Sequence, residues 1–256
     1  ILMGGDTDGT VYVPYTSAKK MLGTSTVSAV EVYVTNPDDT DDAVDELKAA
    51  LDEIFNNKDK TYTVNGGTYQ MKIHGFASAC EFEVAEQTES RVTFVLRDNE
   101  VTRAQFPFAF LFKVRYALKE STVEVTYTVD NPEDEMLHFG LGGHPGFNVP
   151  LKEGTSFEDY YLRFSQPCEP DRVGFSSEIL VSGVDKRYEL EGGQIIRLRH
   201  DLFDHDAIVL KNMAKSVTIA SDKTKRYVTV SYPQMPYVGF WHAERKDAPY
   251  VCIEPW

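Results

Sequence analysis

The chain has 256 residues, with 26 basic and 40 acidic side chains and a formal net charge of −14 at pH 7. This acidic balance argues against nucleic acid or an anionic membrane surface as a partner, and it suits a neutral small molecule better. Cys80, Cys168 and Cys252 show no CxxC spacing, so they predict neither a disulfide framework nor a zinc site. The odd number of cysteines favours a reducing compartment.

Residues 1–57 predict a small β-α-β-α segment. The runs 11–13 and 27–35 are strand-like, and Thr16 can cap a short helix that ends at Gly23. A second, amphipathic helix follows an acidic turn, as expected for acidic residues at the positive end of a helix. This pattern differs from that of the rest of the chain.

Residues 58–256 predict almost only β-strands, separated by turn sequences such as Asn65-Gly66-Gly67 and Glu191-Gly192-Gly193. The predicted strands are 69–73, 81–85, 91–96, 110–118, 122–129, 136–141, 160–164, 207–210, 216–220, 227–231 and 250–253. So many strands with little helix between them indicate an antiparallel sandwich or barrel rather than a parallel α/β sheet. The fold class is therefore mainly β.

His144 is the most informative histidine, because it lies in the constrained run Gly-Gly-His-Pro-Gly-Phe-Asn. Pro145 favours an extended backbone at His144, which suits a positioned proton donor, although a structural role is equally consistent with the sequence. His74, before a glycine at a strand end, is consistent with either role.

The other four histidines carry less functional signal. His200 and His205 lie among charged residues and are interpreted as surface groups, and His138 as a structural residue of the strand 136–141. His242 follows Trp241 and is either a core histidine or part of a pocket wall.

Glu254 is the most informative carboxylate, because apolar residues surround it in Val-Cys-Ile-Glu-Pro-Trp. A buried carboxylate is costly unless it is paired, hydrogen-bonded or held at a raised pKa, and such sites are enriched in catalytic bases. The alternative is a structural glutamate that accepts hydrogen bonds from backbone or arginine donors. Asp204 and Asp206 precede the apolar run 207–210, so either one carboxylate points inward or the segment is a plain turn.

Several other chemistries lack their motifs. The chain has no Gly-rich phosphate-binding loop and no GxSxG nucleophile turn. The chain has no HxxxH pair of histidines. We therefore expect neither a cofactor nor a metal.

Four motifs occur in one order along the chain: IHGF at 73–76, GHPGFN at 143–148, DAIV at 206–209 and CIEPW at 252–256. Together they resemble the aldose 1-epimerase (galactose mutarotase-like) family over about residues 59–256. The resemblance implies a large antiparallel β-sandwich, the galactose mutarotase-like supersandwich, which binds a free hexose in a cleft without a cofactor.

The resemblance also implies roles for single residues. Glu254 corresponds to the general base that deprotonates the anomeric hydroxyl, and His144 to the general acid that protonates the ring oxygen. His74 corresponds to a second histidine that binds the sugar, and Asp206 to a sugar-binding aspartate, with Asp204 as the alternative.

Side-chain type alone suggests Phe147 and Trp241 as apolar walls against the sugar. The chain also departs from the family: an expected Arg or Asn-Arg element near the start is not found, and Ser78 stands where relatives often have Arg. Relatives continue with further strands after the Glu-Pro-Trp motif. The sandwich is therefore expected to lack strands at both ends.

Residues 4–56 resemble a different family, the extracytoplasmic core domain of macrolide-exporter-type ABC permeases, with a junction expected near 57–60. This weaker resemblance implies a permease-type protein partner for residues 1–57 and a location outside the membrane. The mutarotase-like part implies the cytoplasm instead, and because it is the larger part, we expect a cytoplasmic protein. Three hypotheses result: a hexose mutarotase, a non-catalytic carbohydrate-binding β-sandwich, and a protein-interaction module derived from a permease.

Overall fold

The computed structural model describes residues 61–176 and 181–256. The predicted segment 1–57 and its boundary therefore lie outside the described residues. Within the described part the chain forms two compact units, 61–139 and 140–256, with sixteen strands and a single four-residue α-helix. Every ladder between these strands is antiparallel, which confirms the mainly β prediction.

The unit 61–139 begins with a hairpin of β1 (Thr61–Val64) and β2 (Gly67–Gln70). Asn65 and Gly66 form its turn, with φ values of 49° and 76°. Two consecutive residues with positive φ match the twist of a tight hairpin, and Asn and Gly are the residues that adopt it most readily. The turn predicted at this position is therefore confirmed.

A four-stranded antiparallel sheet completes this unit. In chain order its strands are β3 (Glu83–Gln87), β4 (Arg91–Arg97), β5 (Leu111–Lys119) and β6 (Thr122–Asp130). Helix α1 (Glu100–Arg103) connects β4 to β5. Asn99 caps this helix, because its Oδ1 accepts a hydrogen bond from the N–H of Thr102 at 3.0 Å while its own N–H donates to Thr102 Oγ1 at 2.9 Å.

The unit 140–256 contains the remaining ten strands. They are β7 (Gly146–Asn148), β8 (Tyr160–Phe164), β9 (Asp171–Arg172), β10 (Lys186–Arg187), β11 (Ile195–Arg197), β12 (Ile208–Lys211), β13 (Ser216–Ser221), β14 (Val228–Ser231), β15 (Tyr237–Trp241) and β16 (Tyr250–Pro255). One sheet has the order β10-β9-β12-β15-β16-β7 and the other the order β11-β8-β13-β14.

The two sheets of this unit share one hydrophobic core. Leu162 and Phe164 contribute to it from the four-stranded sheet, and Phe240 and Ile253 from the six-stranded sheet. The rings of Phe164 and Phe240 meet edge to face, with their centroids 6.1 Å apart. Burying a side chain of this size contributes roughly 1.5–3 kcal/mol relative to leaving it exposed. The unit is thus a β-sandwich held together by alternating apolar residues.

One predicted strand is wrong. Residues 136–141 are not in a strand, His138 is exposed, and the side chains of Met136 and Phe139 are 74% and 53% exposed. The sequence of this segment alternates as expected for a strand, but none of the described strands pairs with it. A strand needs hydrogen bonds to a neighbouring strand, which alternation alone does not provide. Conversely, β15 was not predicted, because Pro236 and Gly239 weaken its strand pattern.

Within residues 61–176 and 181–256, no helix has both the length and the apolar character needed to cross a membrane.

Candidate active site

Strand β16 places Glu254 on the face of its sheet opposite to the core. Val251 and Ile253 are fully buried in the core, so Cys252 and Glu254, which alternate with them, point to the other face. The Glu254 side chain is nevertheless only 15% exposed. The sequence expectation of an enclosed carboxylate in an apolar strand therefore agrees with the structure.

The neighbouring strand β15 leaves space beside this carboxylate. Gly239 pairs with Glu254, and Trp241 pairs with Cys252. A Cβ atom at Gly239 would lie 3.4 Å from Glu254 Cβ and 3.5 Å from Glu254 Oε2. An alanine would therefore just reach van der Waals contact, and a larger side chain would compete with the carboxylate for this space.

The environment of Glu254 changes its proton affinity. Burial is the main cause that raises the pKa of its carboxyl from 4.5 to about 7, and the negative charge of Asp206 adds to the shift. Oε1 of Glu254 has no hydrogen-bond partner among the described residues. The carboxyl group therefore exchanges its proton near neutral pH, as a general base or acid must.

Two backbone hydrogen bonds fix the loop that carries His144 to β16. The N–H of Gly143 donates to the carbonyl of Pro255 at 3.0 Å, and the N–H of Ile253 donates to the carbonyl of Pro145 at 3.1 Å. His144 lies between these two attachments. The backbone on either side of the imidazole is therefore held against the strand that carries Glu254.

The imidazole of His144 contacts the carboxyl of Glu254. Nδ1 of His144 lies 3.2 Å from Glu254 Oε1, although this close contact does not have the angles of a hydrogen bond. The imidazole is half exposed and meets the ring of Trp241 edge to face, with the centroids 5.8 Å apart. The structure thus brings together three side chains that the sequence analysis had selected.

Asp206 completes this group from the start of β12. It is exposed, has a left-handed backbone with φ of 72°, and its Oδ1 accepts a hydrogen bond from the N–H of Ala207 at 2.7 Å. The negative charge of Asp206 contributes to the raised pKa of Glu254. The negative charge of Asp204 acts instead on the pKa of the buried His242, which it raises against the larger, lowering effect of burial. Of the two aspartates that the sequence left open, Asp206 is the one whose charge reaches the carboxyl of Glu254.

One predicted site residue faces the core instead of the site. Phe147 pairs with Val251 and packs against the core, so it points to the face opposite to Glu254. His74 belongs to the unit 61–139, where it occupies a turn with φ of 68°. The arrangement around Glu254 within the unit 140–256 is therefore built without Phe147.

The family model described as aldose 1-epimerase matches residues 53–256. The chain belongs to the aldose 1-epimerase family. This match confirms the family resemblance of the four motifs, and it agrees with the antiparallel β-sandwich of the unit 140–256. The permease resemblance of residues 4–56 falls outside the described residues.

Individual relatives agree with this family membership. The chromosomal LacX protein of Lactococcus lactis is 33% identical over 190 residues, which are 73% of this chain and 63% of LacX. A galactose mutarotase related enzyme from Lactobacillus acidophilus has a TM-score of 0.72 and 37% identity, over 78% of this chain and 66% of that one. A galactose mutarotase-like protein from Lactobacillus casei has a TM-score of 0.68 and 33% identity, over 77% and 67% of the two chains. The chain thus spans slightly less than two thirds of LacX and of the Lactobacillus acidophilus protein.

In this member of the aldose 1-epimerase family, one site-facing residue was missed by the sequence analysis. Cys252 is 5% exposed and points to the same face as Glu254, and burial raises the pKa of its thiol to about 12, with a further contribution from Glu254. The sequence could have indicated this position. Side chains alternate between the two faces of a strand, so residues 252 and 254 must share a face.

His200 differs from the sequence interpretation, whereas His242 agrees with one of its two alternatives. His200, expected at the surface, stacks on Phe157 with ring centroids 4.2 Å apart, and its Nδ1 lies 3.1 Å from Nε2 of His242. Nδ1 of His242 is 2.8 Å from the carbonyl of Ala243 and therefore carries the proton. Burial lowers the pKa of His242, which favours a neutral ring. His242 is thus a core histidine, while His205 is exposed as expected.

Proposed function

We propose that this protein is an aldose 1-epimerase that interconverts the α and β anomers of a free hexose. Glu254 removes the proton from the anomeric hydroxyl while protonated His144 donates a proton to the ring oxygen. The bond between C1 and the ring oxygen then breaks and gives the open-chain aldehyde. After rotation about the C1–C2 bond, the ring closes on the other face, and both protons return to the groups that they left.

The observation that carries this proposal is the enclosed Glu254 carboxyl, whose pKa is raised to about 7, beside the imidazole of His144 at 3.2 Å. A base with a pKa near the working pH combines a useful deprotonated fraction with a strong affinity for protons. A carboxylate and an imidazole supply one base and one acid, as ring opening requires. Because Glu254 must be deprotonated while His144 is protonated, the rate is expected to have a bell-shaped dependence on pH.

Sugar binding is assigned to the side chains around this pair. The carboxylate of Asp206 accepts hydrogen bonds from sugar hydroxyls, and the indole of Trp241, which lies beside His144, packs against an apolar face of the sugar ring. A role for His74 follows from the family motif alone. Phe147 receives no role in binding, since it packs against the core.

A neutral hexose suits the charges of the site better than a sugar phosphate. Glu254 and Asp206 are acidic and the chain carries a net charge of −14, so a phosphate group would meet repulsion. Three free cysteines, Cys80, Cys168 and Cys252, support a cytoplasmic location.

The test compares the rate of anomer interconversion of freshly dissolved α-D-galactose and α-D-glucose, followed by polarimetry, with and without the protein. Glu254→Gln is expected to reduce the accelerated rate by about 10²–10⁴-fold, because the amide cannot accept the proton. Glu153→Gln makes the same chemical change at an exposed residue of the same unit and is expected to leave the rate unchanged.

Normal turnover by Glu254→Gln would contradict the assignment of the base. Saturable sugar binding by the wild-type protein without any acceleration would favour the non-catalytic carbohydrate-binding alternative. A sugar titration monitored by thermal stability distinguishes that alternative from a protein without a sugar site, because bound ligand raises the unfolding temperature.

A further inference from the structure

His144, Cys252 and Glu254 form a cluster of three metal-ligating groups. Each offers one donor atom, an imidazole nitrogen, a thiol sulfur and a carboxylate oxygen, and these three atoms all lie within 4.8 Å of one another. Cys252 and Glu254 share one face of β16, and the loop before β7 brings His144 to them. The cluster was not visible as a spacing motif, because His144 is more than one hundred residues from the other two in the sequence.

We propose that these three side chains bind Zn²⁺, with water as the fourth ligand, and that bound Zn²⁺ blocks the sugar reaction. Zn²⁺ takes nitrogen, sulfur and oxygen ligands in a tetrahedral arrangement. Three protein ligands and one open position are a common arrangement for a zinc ion that is accessible to solvent.

The geometry of the cluster is close to that of such a site. Bond lengths of about 2.0–2.3 Å imply roughly 3.3–3.6 Å between neighbouring donor atoms of a tetrahedral zinc ion. Nδ1 of His144 and Oε1 of Glu254 are already 3.2 Å apart. Since all three donor atoms lie within 4.8 Å of one another, the thiol has to come closer to the other donors by at most about 1.2–1.5 Å to reach this spacing. Rotation of the half-exposed His144 side chain supplies the part of that movement that concerns the imidazole.

Two features favour a thiophilic ion over the common hard cations. Cys252 supplies sulfur, which selects Zn²⁺ over Mg²⁺ and Ca²⁺ because these two prefer oxygen ligands. Glu254 Oε1 makes no hydrogen bond to the described residues, so coordination costs it no such bond. Binding converts the thiol of Cys252 to a thiolate and releases its proton to the buffer.

The inhibitory effect rests on the proposed function, whereas metal binding itself does not. A zinc ion held by Glu254 and His144 occupies the base and the acid together, so the sugar and the metal exclude each other. Inhibition by Zn²⁺ is therefore expected to be competitive with the hexose, and addition of a chelator is expected to reverse it.

The direct test is a calorimetric titration of the metal-free protein with Zn²⁺, in a buffer without thiols or chelators. One ion is expected to bind per chain, whereas Mg²⁺ at the same concentrations gives no signal. Cys252→Ser is expected to weaken Zn²⁺ binding by at least on the order of 100-fold, because even losing an outer partner of a metal site costs 10–100-fold. Cys168→Ser changes a cysteine of the same unit outside the cluster and is expected to bind as tightly as the wild type.

Equal Zn²⁺ affinity in Cys252→Ser and the wild type would overturn the site, as would an equal loss in Cys168→Ser. His144→Ala provides a second variant at a half-exposed residue, so the test does not depend on a substitution in the buried strand. This variant is expected to lose Zn²⁺ binding while its unfolding temperature stays unchanged, and retained tight binding would contradict the proposal.

Polarimetry separates the two proposals. Zn²⁺ is expected to inhibit the wild type, whereas the rate of Cys252→Ser, compared with its own rate without metal, is expected to be insensitive to Zn²⁺. If the wild type binds Zn²⁺ through Cys252 but does not accelerate sugar interconversion, the metal site stands and the proposed function fails. If it turns over sugar but does not bind Zn²⁺, the function stands and the metal site fails.

Discussion

The two faces of β16 serve different purposes although their residues alternate along one strand. Val251 and Ile253 point into the core and are fully buried among apolar side chains, whereas Cys252 and Glu254 point to the opposite face. Because side chains alternate along a strand, the packed core face can hold the strand in place while the other face carries a carboxyl whose burial is unfavourable.

Weakening the core face of β16 is expected to have the largest effect on stability. Ile253→Ala removes fully buried methyl and methylene groups and is expected to reduce the free energy of unfolding by about 2–5 kcal/mol. Denaturation in urea measures the change. Val184→Ala removes apolar groups from a residue that is 66% exposed in the same unit, and it is expected to change stability by less than about 0.5 kcal/mol. Equal effects of the two variants would show that the core face does not stabilise the strand.

Local patterns predicted much of this arrangement, because alternation and motif content are properties of the chain itself. The apolar residues around Glu254 indicated an enclosed carboxyl, and the constrained glycines and proline around His144 indicated a positioned imidazole. Both expectations agree with the structure, in which the two side chains approach to 3.2 Å.

Properties that depend on distant neighbours were not predictable in the same way. His200 lies among charged residues in the sequence, yet it stacks on Phe157, which is more than forty positions earlier. The segment 136–141 has the pattern of a strand but no partner strand among the described residues. Phe147 follows a site motif, but its pairing with Val251 turns it towards the core. In each case the deciding contact comes from elsewhere in the chain.

The carboxyl of Glu254 on the opposite face is expected to make the free energy of unfolding depend on pH. Glu254 has a pKa of about 7 in the folded protein, above its ordinary value of 4.5, so the folded state binds more protons than the unfolded state between these values. Stability is therefore expected to fall as the pH rises from about 4.5 to about 7, and to level off above that. The full shift corresponds to about 3 kcal/mol, since one pKa unit is worth about 1.4 kcal/mol.

The measurement compares wild type with Glu254→Gln by urea denaturation at several pH values. Other titrating groups largely cancel in this difference, so the remaining slope belongs to Glu254. The wild type is expected to lose stability relative to the variant across this window. A difference that does not change with pH would mean that the carboxyl has an ordinary pKa and that burial does not perturb it.

Filling the space that β15 leaves beside the Glu254 carboxyl is expected to reduce the reaction rate only moderately. Gly239→Val places methyl groups beyond a Cβ position that is already 3.5 Å from Glu254 Oε2, so the carboxyl must move. A displacement of about 1 Å is expected to reduce the rate on the order of 10–100-fold. Gly239→Ala is the matched control, because its Cβ only reaches van der Waals contact, and its rate is expected to stay near that of the wild type.

Thermal unfolding distinguishes this effect from a loss of folding. Valine is favoured in strands and Gly239 lies within β15, so Gly239→Val is expected to fold with a stability close to that of the alanine variant. A reduced rate at unchanged stability assigns the effect to the position of Glu254. A valine variant with the rate of the wild type would show instead that the reaction tolerates displacement of this carboxyl, and that the space opposite it serves only the packing of the sheet.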